Sequence, residues 1–176
     1  MVCSVKCRHY VNFETLRMIY FGIFSSILIY GSQIWGQHNA VVKKLQVLQN
    51  KALRIMTFSH SRSSAIPLYK KCNILKLSDN ISLQNFLFAH DSLLGNLPSP
   101  LCGKLSFVNT VNNTRNQTYF QLDRTRTKTI LYGSNSIKSK SIDVWNFINK
   151  LFYQEKLHQP TRKYCKNFVT KFLMER

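Results

Sequence analysis

Carboxylates come first, because paired Asp or Glu side chains hold catalytic metal ions and run general acid–base chemistry. This chain has seven: Glu14, Asp79, Asp91, Asp123, Asp143, Glu155 and Glu175, no two closer than twelve residues. That spacing leaves no local carboxylate pair. Cys3, Cys7 and His9 have the close spacing of half a zinc site, but a structural site takes four ligands, usually from two close pairs. His38 and His60, the next candidates along the chain, each stand alone in their segment. Free thiols and a solvated histidine are therefore expected, with no metal. There is no Gly-rich phosphate loop, no His-Glu-x-x-His, no nucleophile elbow and no adjacent Asp pair. The expectation is a chain with no catalytic residue and no cofactor of its own.

What the composition offers instead is positive charge. Twenty-five Lys and Arg against seven acids give a net charge of +18 on 176 residues, the sign of a polyanionic partner. Hydrophobic residues make up 44% and aromatics 12%, too many for a disordered basic tail, so the bases must decorate a folded body. Five cysteines, an odd number without framework spacing, point to a reducing compartment and an intracellular location, nuclear or cytoplasmic.

The elements that would carry these charges are mostly helical. Residues 1–12 read as a leader. Asn12 is placed as the cap of a helix from Phe13 to about Gly31 or Trp35, with apolar residues at 16, 19, 20, 23, 24, 27 and 28. Within it, Met18–Tyr30 resembles a signal peptide or short anchor, and no Lys, Arg, Asp or Glu occurs from Met18 to Val42. Its apolar part is about 13 residues, whereas a membrane span needs roughly 20. A buried central helix is the preferred assignment.

A second helix is expected from Asn39 to about Thr57. At about 100° per residue, Lys43, Lys44, Lys51 and Arg54 share one arc of roughly 100°. Val41, Val42, Leu45, Leu48, Ala52, Leu53 and Met56 fill the opposite arc, with only Val47 among the bases. A structural surface helix usually mixes charge signs to gain i,i+4 pairs, and this one carries no acid. A short helix is expected around Pro67 to Cys72. A longer one, capped by Ser78, should run to about Leu94 with Gly95 as its stop.

From Ser99 to Gly133 the helical period disappears. Arg124-Thr-Arg-Thr-Lys-Thr129 alternates strictly, so a strand there would put Arg124, Arg126 and Lys128 on one face as a phosphate-facing ribbon. The plainer alternative is an edge strand kept soluble by charge. Further helices are expected from Ser136 to Phe152 and from Pro160-Thr161 onward.

Several blocks occur in a recognisable order. Ile29-Tyr30-Gly31-Ser32-Gln33-Ile34-Trp35-Gly36 is followed by Leu45-Gln46-Val47-Leu48-Gln49-Asn50-Lys51-Ala52-Leu53-Arg54-Ile55. Then come Pro67-Leu68-Tyr69-Lys70-Lys71-Cys72-Asn73-Ile74-Leu75-Lys76-Leu77, Asn113-Thr114-Arg115, Tyr132-Gly133 and Trp145-Asn146. Over roughly residues 13–173 this resembles the region downstream of the palm in reverse transcriptases of non-LTR (LINE-type, jockey-like) retrotransposons. One departure is that the family's usual Trp-Asn-Ser-Leu-Pro reads Trp145-Asn146-Phe147-Ile148-Asn149 here.

The resemblance implies a thumb that grips primer–template duplex, followed by a C-terminal extension. The palm of this RNA-directed DNA polymerase, with its paired aspartates, would precede residue 1. The expected architecture is mainly α: a helical thumb-like bundle (13–97), a loop with a small basic β-ribbon (98–133) and a C-terminal helical region (134–176). The expected function is that of a nucleic-acid-binding fragment of a transposable element, holding RNA, DNA or hybrid duplex and not catalytic alone. The candidate contacts are Lys43, Lys44, Lys51, Arg54, Arg115, Arg124, Arg126 and Lys128. The rival from another class is a small membrane-associated basic protein anchored by Met18–Tyr30, its basic surface facing anionic lipid.

Overall fold

Asn12 opens the first helix, as its position predicts. Its Oδ1 accepts from the Thr15 N–H at 2.9 Å and from Thr15 Oγ1 at 2.8 Å, satisfying one of the free amides at the helix start. The computed structural model describes residues 9–101, 103–107, 121–124, 126–154 and 161–175. Across these the chain is mainly helical, as expected. In order come α1 (Phe13–Ile19), a π-helical turn (Tyr20–Ser25), α2 (Ser26–Ile29), α3 (Ser32–Trp35), α4 (Asn39–Met56), α5 (Ile66–Cys72) and α6 (Leu77–Leu93). A second π-helical turn (Ile130–Ser134), α7 (Ile137–Gln154) and α8 (Arg162–Glu175) complete the order.

The helix expected after Asn12 runs on to Ile29, its backbone right-handed at Ile19, Tyr20, Ser25 and Ser26, but a π-helical turn lies within it. Ser26 Oγ turns back to the carbonyls of Gly22 at 2.7 Å and Ile23 at 2.9 Å, and such side-chain competition loosens the helical ladder where the π turn lies. The backbone then leaves the helix at Tyr30, with ψ 122°. Nor is this run buried all round. Leu16, Tyr20 and Leu28 face the core, while Met18, Ile23 and Ile27 are exposed. Among the described residues no helix is long and apolar enough to cross a membrane.

Contacts divide the chain into two compact units, Met1–Ile81 with Leu173–Arg176, and Ser82–Phe172. In the first, Leu16, Tyr20, Leu53, Met56, Leu68, Tyr69, Cys72 and Ile74 form one core cluster. Leu28, Leu77 and Ile81 form another, with Trp35, Val42 and Leu45 against them. Gly36 is buried beside that second cluster, where an added Cβ would press on Ile81 at 3.0 Å and collide with the Ser32 carbonyl oxygen.

Ser78 is not the cap of α6. The helix starts one residue earlier, and the Leu77 N–H is received instead by side chains of α4. Its end is as expected. Gly95 takes φ +73°, and Asn96 N–H reaches back to the Asp91 carbonyl at 2.9 Å, the bond that closes a helix on a left-handed residue.

In the second unit Ala89, Leu105, Leu122 and Ile142 form the core, and Phe86 stacks on Trp145 at 5.1 Å. The strand expected over 124–129 is not present among the described residues. Within those residues the one β-bridge is the antiparallel pair Phe107–Leu122. Leu122 is also held by a side chain: its N–H donates to Asn146 Oδ1 at 2.8 Å, and Asn146 Nδ2 donates to its carbonyl at 3.1 Å. One amide thus takes the place of a neighbouring strand. α7 and α8 begin near the expected points, Ser136 Oγ accepting from Ser139 N–H at 3.2 Å and Thr161 Oγ1 from Tyr164 N–H at 3.4 Å.

Candidate nucleic-acid interface

α4 positions the first set of candidate contacts. It is built of good helix formers, and it ends where Phe58 adopts φ 53° and Ser59 N–H bonds the Arg54 carbonyl at 3.0 Å. Its preceding cap residue is His38 rather than Asn39, without a side-chain capping bond.

The inner face of the helix is partly polar, which sequence reasoning missed. Gln49 is 3% exposed. Its Nε2 donates to Tyr20 Oη and to the Leu75 carbonyl, both at 2.9 Å, and its Oε1 receives the Leu77 N–H at 2.9 Å. Gln46 Oε1 shares that N–H at 3.1 Å, while Gln46 Nε2 donates to the Tyr69 hydroxyl at 2.5 Å. Tyr69 in turn donates to Asn50 Oδ1 at 2.6 Å. Burial pushes the phenols of Tyr20 and Tyr69 above their ordinary value, so both are neutral donors and acceptors in this network. The available signal was Gln49 itself, a polar residue in the middle of an apolar arc.

This inner network rotates the outer face. Because Gln46, Gln49 and Asn50 take part of the buried side, its centre lies roughly 40° from the centre of the apolar residues at about 100° per residue. Two expectations change with it. Leu48, expected inside, is 43% exposed, and Val41 is exposed beside it. Arg54, expected outside, is half-buried, and its Nε donates to the Ser63 carbonyl at 2.9 Å, pinning the 59–64 loop. Ile55, in the last turn, departs from the pattern and is buried.

Lys43, Lys44 and Lys51 stand as expected. All three are exposed on one arc of α4, and among the described residues no carboxylate pairs with them. No acid occurs at all between Glu14 and Asp79, a stretch holding nine Lys and Arg. One of these, Arg17, is occupied: its Nε donates to the Cys72 carbonyl at 3.1 Å.

The second set lies in the other compact unit and differs. Arg124 NH1 is 2.9 Å from Asp143 Oδ1, so its charge is partly answered within the fold. Arg126 and Lys128 are exposed. Without a strand, nothing holds the three on one face by alternation. Arg115 lies outside the described residues, as do Cys3 and Cys7.

Asp91 Oδ2 receives Arg162 Nε at 3.0 Å, and burial pushes the Cys165 thiol up to about 11, which keeps it protonated and unreactive at neutral pH. Among the described residues no three His, Cys, Asp or Glu side chains converge as metal ligands. Comparison of the chain with protein-family models, curated proteins and solved structures gives no significant match.

Proposed function

We propose that this chain is a nucleic-acid-binding, non-catalytic portion of a non-LTR retrotransposon reverse transcriptase, corresponding to the thumb-like region and the C-terminal extension beyond it. The observation that carries the nucleic-acid part is the outer arc of α4. It holds three exposed lysines, with no ion pair upon them among the described residues, in a 64-residue stretch without a single acid. Such a surface attracts a phosphate backbone without reading bases. The origin rests on the ordered sequence blocks. Several of their residues have structural work here: Gln46 and Gln49 hold the start of α6, and Asn146 holds Leu122.

In this reading Lys43, Lys44 and Lys51 contact backbone phosphates, Arg126 and Lys128 add contacts, and Arg54 shapes the surface without touching the ligand. The chain needs no cofactor for binding and works inside the cell.

The test is equilibrium binding of the purified chain to duplex and hybrid oligonucleotides across a salt series, with a primer-extension assay alongside. Binding with little sequence preference is expected. If about six phosphates are neutralised, the log–log salt slope should be about −5. Primer extension in Mg²⁺ or Mn²⁺ by a preparation free of contaminating polymerase would contradict the non-catalytic part. Salt-independent or undetectable binding would contradict the rest.

A further inference from the structure

We infer that the cavity beside α5, the start of α6 and the last turn of α8 takes an unpaired guanine nucleotide, its base inside and its phosphate on Lys70 and Lys76. The choice of a nucleotide as occupant rests on the nucleic-acid reading above. Every wall belongs to the first compact unit, and the cavity holds about 220 Å³. Pockets for whole drug-sized ligands begin near roughly 300 Å³, so this one suits a single ring system with the rest of the molecule outside.

Its frame is fixed from two sides. α5 closes at Asn73, which takes φ 53° and ψ 52°, and Ile74 N–H bonds the Tyr69 carbonyl at 3.0 Å. Gln49 then holds the Leu75 carbonyl and the Leu77 N–H, both at 2.9 Å. Lys76 stands between these two anchored residues, and its own carbonyl accepts from the Asn80 N–H at 2.9 Å. A cavity framed in this way is preformed, which lowers the ordering cost of binding.

The lining selects the occupant. Ile74, Leu75, Leu173 and Met174 give apolar walls, beside Tyr69, whose hydroxyl is engaged by Gln46 and Asn50. Lys70 is exposed and Lys76 half-buried, and among the described residues no carboxylate forms an ion pair with either. Asp79, half-buried, is the one acid of the lining. An acyl chain would leave that carboxylate against hydrocarbon, which is costly, and a bare phosphate would leave the apolar walls unused. A base joined to a phosphate uses all three kinds of group, with the lysines as point charges for the phosphate. Ionised Asp79 only accepts, with about four lone-pair sites, of which Ser78 Oγ meets one at 3.3 Å. Guanine alone among the common bases carries two adjacent N–H donors on one edge, the match for a carboxylate. The occupant is a free mononucleotide or the unpaired end of a bound strand.

Two arms test this on the full chain. Isothermal titration compares GMP, AMP, CMP and UMP, and fluorescence anisotropy compares a blunt duplex with duplexes ending in one unpaired guanine or uracil nucleotide. A bidentate pair discriminates by about fivefold or more, so GMP should lead UMP by at least that factor. The guanine overhang should bind severalfold tighter than the blunt end. Asp79→Asn should abolish the guanine preference in both arms, and Lys70→Gln with Lys76→Gln should weaken all four mononucleotides. A response in the titration alone supports a free nucleotide as occupant, and a response to the overhang alone supports a strand end. Blunt-duplex binding with no guanine preference in either arm overturns the inference and leaves the α4 reading standing. GMP binding without any duplex binding does the opposite. A guanine preference that survives Asp79→Asn, or a cavity that takes decanoate and not GMP, also overturns it.

Discussion

Two basic regions were expected to face nucleic acid, and they fare differently. On α4 a helical period put Lys43, Lys44 and Lys51 on one arc, and they are exposed there with no acid among the described residues to answer them. In the 124–128 segment an alternating pattern predicted a strand, and the segment has no strand in its described residues. Arg124 is paired with Asp143 instead. The contrast comes from where each element finds its hydrogen bonds. A helix satisfies its backbone within itself, so a local pattern is enough to define its faces. A strand needs a partner elsewhere, and here the bridging residue Leu122 is completed by the Asn146 amide rather than by a further strand.

If α4 is the rigid platform this comparison makes it, its inner face should be the sensitive one. Gln49→Leu leaves the Tyr20 hydroxyl, the Leu75 carbonyl and part of the Leu77 amide without their partner. A loss of about 3 kcal/mol or more is expected in chemical denaturation, because each buried unsatisfied group costs about 1–3 kcal/mol. Leu53→Ala, at a fully buried position, should cost about 2–5 kcal/mol. A loss near zero for both would mean that α4 is not anchored by its inner face.

A smaller break uses protons. Burial raises the Tyr20 and Tyr69 phenols above 10.0 in the folded chain. Their contribution is therefore complete below pH 10 and is lost as pH rises through the folded values. Tyr20→Phe should cost about 1 kcal/mol at neutral pH and make the decline above pH 10 shallower. An unchanged alkaline slope in that variant would show that Tyr20 has no part in it.

On the other region, Arg124→Gln should cost no more than about 1 kcal/mol, since exposed ion pairs are worth little. It should also change nucleic-acid binding less than Arg126→Gln with Lys128→Gln, measured by the same salt titration. The reverse order would restore Arg124 to the interface. The smallest effect belongs to Leu48→Ala, expected within about 0.5 kcal/mol because the side chain is largely in solvent. A loss of about 2 kcal/mol would mean that the apolar arc, not the rotated one, faces the core.

Much of the helical framework was legible in the sequence because its punctuation is local. Asn12 caps, Gly95 stops, Pro67 sits at the start of α5, and Thr161 opens α8. The exact orientation of α4 was not, since counting apolar residues ignores a buried side satisfied by Gln46, Gln49 and Asn50. That omission placed Leu48 inside and Arg54 outside, when Arg54 holds the Ser63 carbonyl. The π turn after Ile19 was hidden for a similar reason: a serine bonding back to two carbonyls leaves no trace in hydrophobic periodicity. Asn146 stood out only as part of a sequence block, and nothing local indicates that its amide completes the backbone of a residue twenty-four positions away.

The measurement that bears most directly on the nucleic-acid claim is the salt slope of the Lys43→Gln, Lys44→Gln, Lys51→Gln triple variant against the parent. Removing one phosphate contact makes the slope shallower by about one unit. The variant should therefore bind more than tenfold more weakly, with a slope shallower by about two to three units on that scale. It should unfold at the parent's denaturant midpoint. An identical affinity and slope would contradict the account and leave the outer face of α4 as a solvated surface.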